Sequence, residues 1–169
     1  NHHYGYNIRK IYDAMWLMRD KIAARGKTDE YVKVLAYWSG LAETRKPYVY
    51  GRDELLDSWH TLLIPKIVSA LMLPDEAEQY RAMKSLGVWL SGSLGFTPGT
   101  IGGIKPDGTT FHHGGFYPAY STGAFAMIGY FCKATRGTDF TLSEQARRNF
   151  KLALMTMASY TDLRDWGLG

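Results

Sequence analysis

"NIRKIYDAMWLMRDKIAARGKTDEYVKVLAYWSGL", residues 7–41, decides the fold class. Ile8, Ile11, Tyr12, Met15, Trp16 and Ile22 recur at helical spacing, which puts them on one face of a helix over about residues 7–24. Gly26 supplies a stop. Thr28 is then expected to cap a second helix, with Asp29 and Glu30 in its first turn, where the macrodipole favours acids. Tyr31, Val34, Leu35, Trp38 and Leu41 form the apolar set of that helix.

The same reading extends along the chain. A third helix is expected over about residues 53–73, kinked at Pro65. Pro74, Asp75 and Glu76 start a fourth that runs to about Leu94. A fifth runs from Pro118 to Gly137, and Thr141 with Glu144 reads as a capping box for a sixth that ends near Tyr160. No strand pattern competes. The class is therefore all-α, as antiparallel helical hairpins in a bundle or an α/α toroid.

Composition narrows the function. The 169 residues suit a single unit spanning 1–169 with one sizeable core. A net charge of +4 attracts a polyanion, but no Lys/Arg run points to nucleic acid. No apolar run approaches the ~20 residues that span a bilayer. Cys132 stands alone, which excludes an internal disulfide and a cysteine zinc site. Twelve Tyr and five Trp are enough to line a sugar-binding surface as well as a core. Trp59, Trp89 and Trp166 are the candidates for stacking on sugar rings. The opening "NHHYGYN" and closing "DWGLG" read as the cut ends of a longer protein.

The stretch from Gly95 to Tyr117 has no periodicity and exceeds the ~12–15 residues beyond which a structureless loop usually serves function. Its core, "GTTFHHGGFYPAY", places His112 and His113 beside Gly114 and Gly115, and Tyr120 in the first turn of a helix begun by Pro118. Free N–H groups there favour a nearby anion. An imidazole titrates near neutrality, whereas a phenol at ~10 needs cationic neighbours to serve as a base. Together they make an acid/base pair, or else an ordinary loop over a packed tyrosine; the residues leave both open. His2 and His3 precede the first helix. No HExxH or carboxylate spacing suggests a metal, and His60 reads as a structural histidine.

At this point a family enters. "GIKPDGTTFHHGGFYPAYSTGAF" resembles the catalytic stretch of the chondroitin sulfate ABC lyases of polysaccharide lyase family 8, where a Pro-Asp-Gly-Thr turn leads into a histidine and then Tyr-Pro-x-Tyr-Ser. "HHYGYNIRKIYDAMWLM" is similar to an upstream block of the same enzymes, and "LMLPDE" and "SYTDLRDWGLG" also have counterparts. The resemblance implies a segment of an α/α-toroid catalytic domain, with His113 and Tyr120 as catalytic residues. It places His2 and His3 in the cleft, gives Arg9, Tyr117 and His112 substrate-facing positions, and puts a catalytic Arg and Glu beyond this segment. On that implication the isolated piece is inactive.

The implied chemistry is β-elimination at a uronic acid of chondroitin or dermatan sulfate. It needs no cofactor; whether a divalent ion assists is left open. Tyr120 acts as base and acid on glucuronate, with His113 or the His2/His3 pair as a second base for the epimer. The partners are the acidic polysaccharide and the remaining domains of the same chain, in the periplasm or outside the cell. A lyase for hyaluronan or heparan-type chains and a non-catalytic glycan-binding module remain alternatives. A hydrolase needs two opposed carboxylates. The loop offers only Asp107, inside a turn that explains it.

Overall fold

The computed structural model describes residues 4–51 and 54–160. The first helical stretch is two helices, α1 (Tyr4–Leu17) and α2 (Arg19–Ala24), followed by α3 (Thr28–Ser39). Thr28 is the first residue of α3 rather than its cap; Lys27 precedes it. Gly40, left-handed at φ 67°, closes α3 and leads into a 3₁₀ turn over Leu41–Arg45. The burial pattern corrects the expected apolar face of α3. Val32 and Leu35 are buried, while Tyr31, Val34 and Trp38 face outward, as does Ile11 on α1.

The third expected helix is broken into three pieces: α4 (Leu55–Asp57), a π-helical turn (Ser58–Leu62) and α5 (Leu63–Leu71). Pro65 has no N–H to give the carbonyl four residues back, so regular α pairing cannot be continuous there. The chain accommodates this by widening one turn before the proline. α6 (Glu76–Ser93) starts after Pro74, which lies outside the helix instead of in its expected first turn; Asp75 is the cap, its carboxylate accepting from the Glu78 N–H at 2.8 Å.

α7 (Pro118–Ala134) begins at Pro118. α8 (Glu144–Tyr160) is capped by Ser143, whose Oγ accepts from the Ala146 N–H at 3.2 Å, and not by the expected Thr141. α5 sits centrally, packed against α1, α3, α6 and α7, and α8 lies across α6. The main core joins Leu56, Leu86, Leu90, Leu94, Ile128 and Phe131, all at 0% exposure. Full burial of each such side chain is worth about 1.5–3 kcal/mol. A second cluster of Tyr12, Ile22, Val32, Leu35, Val68 and Met72 ties the first three helices to α5.

The fold is all-α with one departure. The stretch read as aperiodic holds a small antiparallel sheet of β1 (Gly103–Ile104), β2 (Thr110–His112) and β3 (Gly115–Phe116). Strands this short carry no readable alternation. Ile104, fully buried in the main core, anchors the sheet to the helices. Lys105 locks its near end: Nζ donates to Ile101 O at 2.5 Å and Thr97 Oγ1 at 3.0 Å and lies 4.6 Å over the Phe111 ring.

Candidate active site

Two turns aim the loop. In the first, the Asp107 carboxylate accepts from the Thr109 N–H and hydroxyl at 2.9 and 2.7 Å, so this acid is spent on the turn. Gly108, at φ 84°, lies so close to α8 that a Cβ there would meet Thr156 Oγ1 at 2.3 Å. The second turn joins β2 to β3 through His113 and Gly114 alone, His112 pairing with Gly115. Both central residues have positive φ, 52° and 78°, as a tight hairpin of right-twisted strands requires.

His113 is the one non-glycine residue at positive φ among the described residues. An L-residue held there costs about 1–2 kcal/mol, which the fold spends to present an imidazole instead of a second glycine.

The hairpin brings the predicted residues together. His112 and His113 pack with ring centroids 3.9 Å apart and planes tilted by 37°, and they stand 4.4 and 5.8 Å from the Tyr120 ring. Tyr117, the residue before α7, lies 4.8 Å from Tyr120. Tyr120 is in the first turn of α7, as its sequence implied. Burial, the Asp57 carboxylate and Tyr117 all push its hydroxyl above the ordinary phenol range. The described residues thus keep Tyr120 protonated; a base role requires added positive charge.

Opposite Tyr120 stand residues of α1 and the π turn. An open cleft of about 470 Å³ is lined by Tyr6, His60, Ala119, Tyr120, Thr122 and Gly123. Arg9 reaches His60, its Nη1 donating to Nε2 at 3.1 Å. Burial and the Arg9 charge push the His60 pKa down.

Behind this wall Asp57, 1% exposed, accepts from the Tyr6 hydroxyl at 2.7 Å and faces His112 Nε2 at 3.5 Å. Burial and Asp57 push the Tyr6 hydroxyl far up. Asp57, overlooked in the sequence, and His60, read there as structural, therefore connect the two walls. Their signal was a carboxylate and an imidazole three apart inside an apolar run, "LLDSWHTLL".

Three expectations need correction. His112 does not face the cleft; its side chain is fully buried against Asp57. Trp59, 1% exposed, lies in the main core with its Nε1 donating to Ser93 Oγ at 2.9 Å. Trp89, 6% exposed, packs edge-on against Tyr48. Trp59 offers no face for a sugar, and Trp89 lines a separate pocket of about 610 Å³, with Lys66 Nζ 5.6 Å over its ring, and not the cleft of Tyr120. His60, read as structural, lines the cleft instead. His2, His3 and Trp166 lie outside the described residues.

Residues 1–169 match, over their whole length, the family described as "Lyase, catalytic". The chain belongs to this family. It is 35% identical over 163 residues to the chondroitin sulfate ABC exolyase of Bacteroides thetaiotaomicron. It is 30% identical to the ABC exolyase and 29% to the ABC endolyase of Proteus vulgaris. The matches cover 94–95% of this chain but 16% of each relative's length. The chain therefore corresponds to about a sixth of those lyases.

Proposed function

We propose that this chain is part of the α/α-toroid domain of a lyase that cleaves chondroitin and dermatan sulfate by β-elimination. The observation that carries the reading is one cluster: Tyr120 and His60 both line the cleft, with His113 packed 5.8 Å from the Tyr120 ring and Arg9 bonded to His60. The relatives' names supply the substrate class. A polymeric substrate is the ground for assigning the whole enzyme to the periplasm or the outside of the cell.

Elimination at a uronic acid removes the proton from the carbon beside the carboxylate. That proton is weakly acidic until the carboxylate is neutralised and the developing enediolate is stabilised. Arg9 and the His113 imidazole supply donors for this. The Tyr120 oxygen takes the proton, the electron pair forms the new carbon–carbon double bond, and the bond to the leaving oxygen breaks. Tyr120 then returns its proton to that oxygen.

Because the Tyr120 phenol is held up, it is ready as the acid. Its base role depends on a cation that the resemblance leads us to expect beyond this segment. For iduronate the proton is on the opposite face, and His113 or the His2/His3 pair takes it. The segment alone is inactive on this reading.

The test uses the full-length parent with chondroitin sulfate and dermatan sulfate, following the ultraviolet absorbance of the unsaturated uronate. Wild type is expected to act on both polymers, and Tyr120→Phe to lose about 10²–10⁴-fold, the size of one acid–base group. Absorbance that rises only with hyaluronan or heparan-type chains would move the substrate class. A rise that survives Tyr120→Phe would move the base elsewhere.

A further inference from the structure

His60 is tied to the cleft on three sides. It stands in the π-helical turn, on the face packed against α7. Its neighbour there is Gly123, where a Cβ would meet the ring at 2.6–2.8 Å; only a glycine leaves the ring its place. Its Nε2 lies 3.1 Å from Arg9 Nη1, and its Nδ1 lies 3.5 Å from the Tyr6 hydroxyl, edge-on to that ring.

The donor inventory fixes the direction of these contacts. A guanidinium has only donors, so Nε2 must present its lone pair to Arg9. The Tyr6 proton is committed to Asp57, so the Tyr6 oxygen is left to accept from Nδ1–H. A chain follows: Arg9 donates to His60, His60 toward Tyr6, and Tyr6 to the buried Asp57 carboxylate. His60 cannot also act as a base, because its one lone pair is occupied. Arg9's remaining N–H groups have no hydrogen-bond partner among the described residues.

We propose that His60 is a positioning residue: a neutral imidazole with its proton on Nδ1, it accepts from Arg9 and aims that guanidinium at an acidic group of the sugar beside Tyr120. The role rests on the lyase reading above. Asp57 and Tyr6 orient the ring, and Gly123 makes room for it. A lone arginine on a helix surface samples many rotamers; one held at Nη1 by a fixed acceptor keeps its other donors pointed one way, which is what transition-state stabilisation requires.

The test is a double-mutant cycle in the full-length parent, read as kcat/KM on chondroitin sulfate. His60→Leu is expected to lose about 10- to 100-fold, the size of one misaimed charge-assisted hydrogen bond. His60→Gln, which keeps an acceptor toward Arg9, loses much less. In an Arg9→Ala background His60→Leu costs nothing further, because it acts through Arg9. A folding defect would persist in that background, so additive losses, or equal losses for Gln and Leu, overturn the proposal.

A second arm needs no activity. Carbethoxylation requires a free imidazole lone pair, so His60 is expected to modify slowly in wild type and rapidly in Arg9→Ala, by peptide mapping. Equal rates overturn the Arg9–His60 pairing. If wild type cleaves no polymer, the lyase reading fails, and the mapping arm alone decides the pairing.

Discussion

At position 123 two effects of one methyl group oppose each other. Alanine in place of a helical glycine gains up to about 1 kcal/mol of helix propensity. The same methyl would press on three atoms of the His60 ring at 2.6–2.8 Å. That ring is a side-chain tip and can swing away, so the fold survives while the contact with Arg9 does not. Gly123→Ala in the full-length protein is therefore expected to keep its melting temperature and lose about tenfold in kcat/KM, as for one misdirected hydrogen bond. Trp59 behaves in the opposite way. Its buried indole donates to Ser93, so Trp59→Phe is expected to cost about 1–2 kcal/mol in urea unfolding and leave KM unchanged. Sequence could not separate these two kinds of residue. An indole and an imidazole one position apart point to different sides of a helix, and which side is core depends on a turn geometry that propensity does not reveal.

The elements that make the site are the least regular ones. Helix starts at Asp75 and Pro118 were legible because capping and proline chemistry are local. The π-helical turn was not, since it answers a proline three residues beyond its end and the packing of α7 against it. The hairpin was half legible. Pro106-Asp107-Gly108 announced a turn, but strands of two or three residues show no alternation, and the reversal at His113 and Gly114 depends on pairing across it. Two predictions belong to this scale. His113→Gly relieves about 1 kcal/mol of left-handed strain, so melting temperature is expected to hold or rise while the proposed elimination activity of the full-length protein is lost. Lys105→Met leaves the Ile101 carbonyl and the Thr97 hydroxyl without their cationic donor and is expected to cost about 1.5–3 kcal/mol, read by urea unfolding.

Across the whole molecule, the site joins segments far apart in sequence. α1 brings Tyr6 and Arg9, the chain near Pro65 brings Asp57 and His60, the hairpin brings His113, and α7 brings Tyr120. The motifs named His113 and Tyr120 because both lie in one stretch; their opposite wall exists only once α1 and α7 have both packed on the π turn. Stability should therefore report on the state of that wall. His60 faces Arg9, Tyr6, Asp57 and, across the cleft, Tyr120, and its folded pKa lies below the ordinary histidine value. The unfolded chain thus binds this proton more readily than the folded one. The neutral form stabilises the fold fully above the unfolded value of about 6.5, and that contribution is lost as pH falls toward the depressed folded value. Urea midpoints of the full-length protein, taken from about pH 5 to about pH 7.5, should rise with pH more steeply in wild type than in His60→Gln, which has no proton to exchange. Equal slopes would mean that another group governs the acid limb and that His60 carries its proton equally in both states.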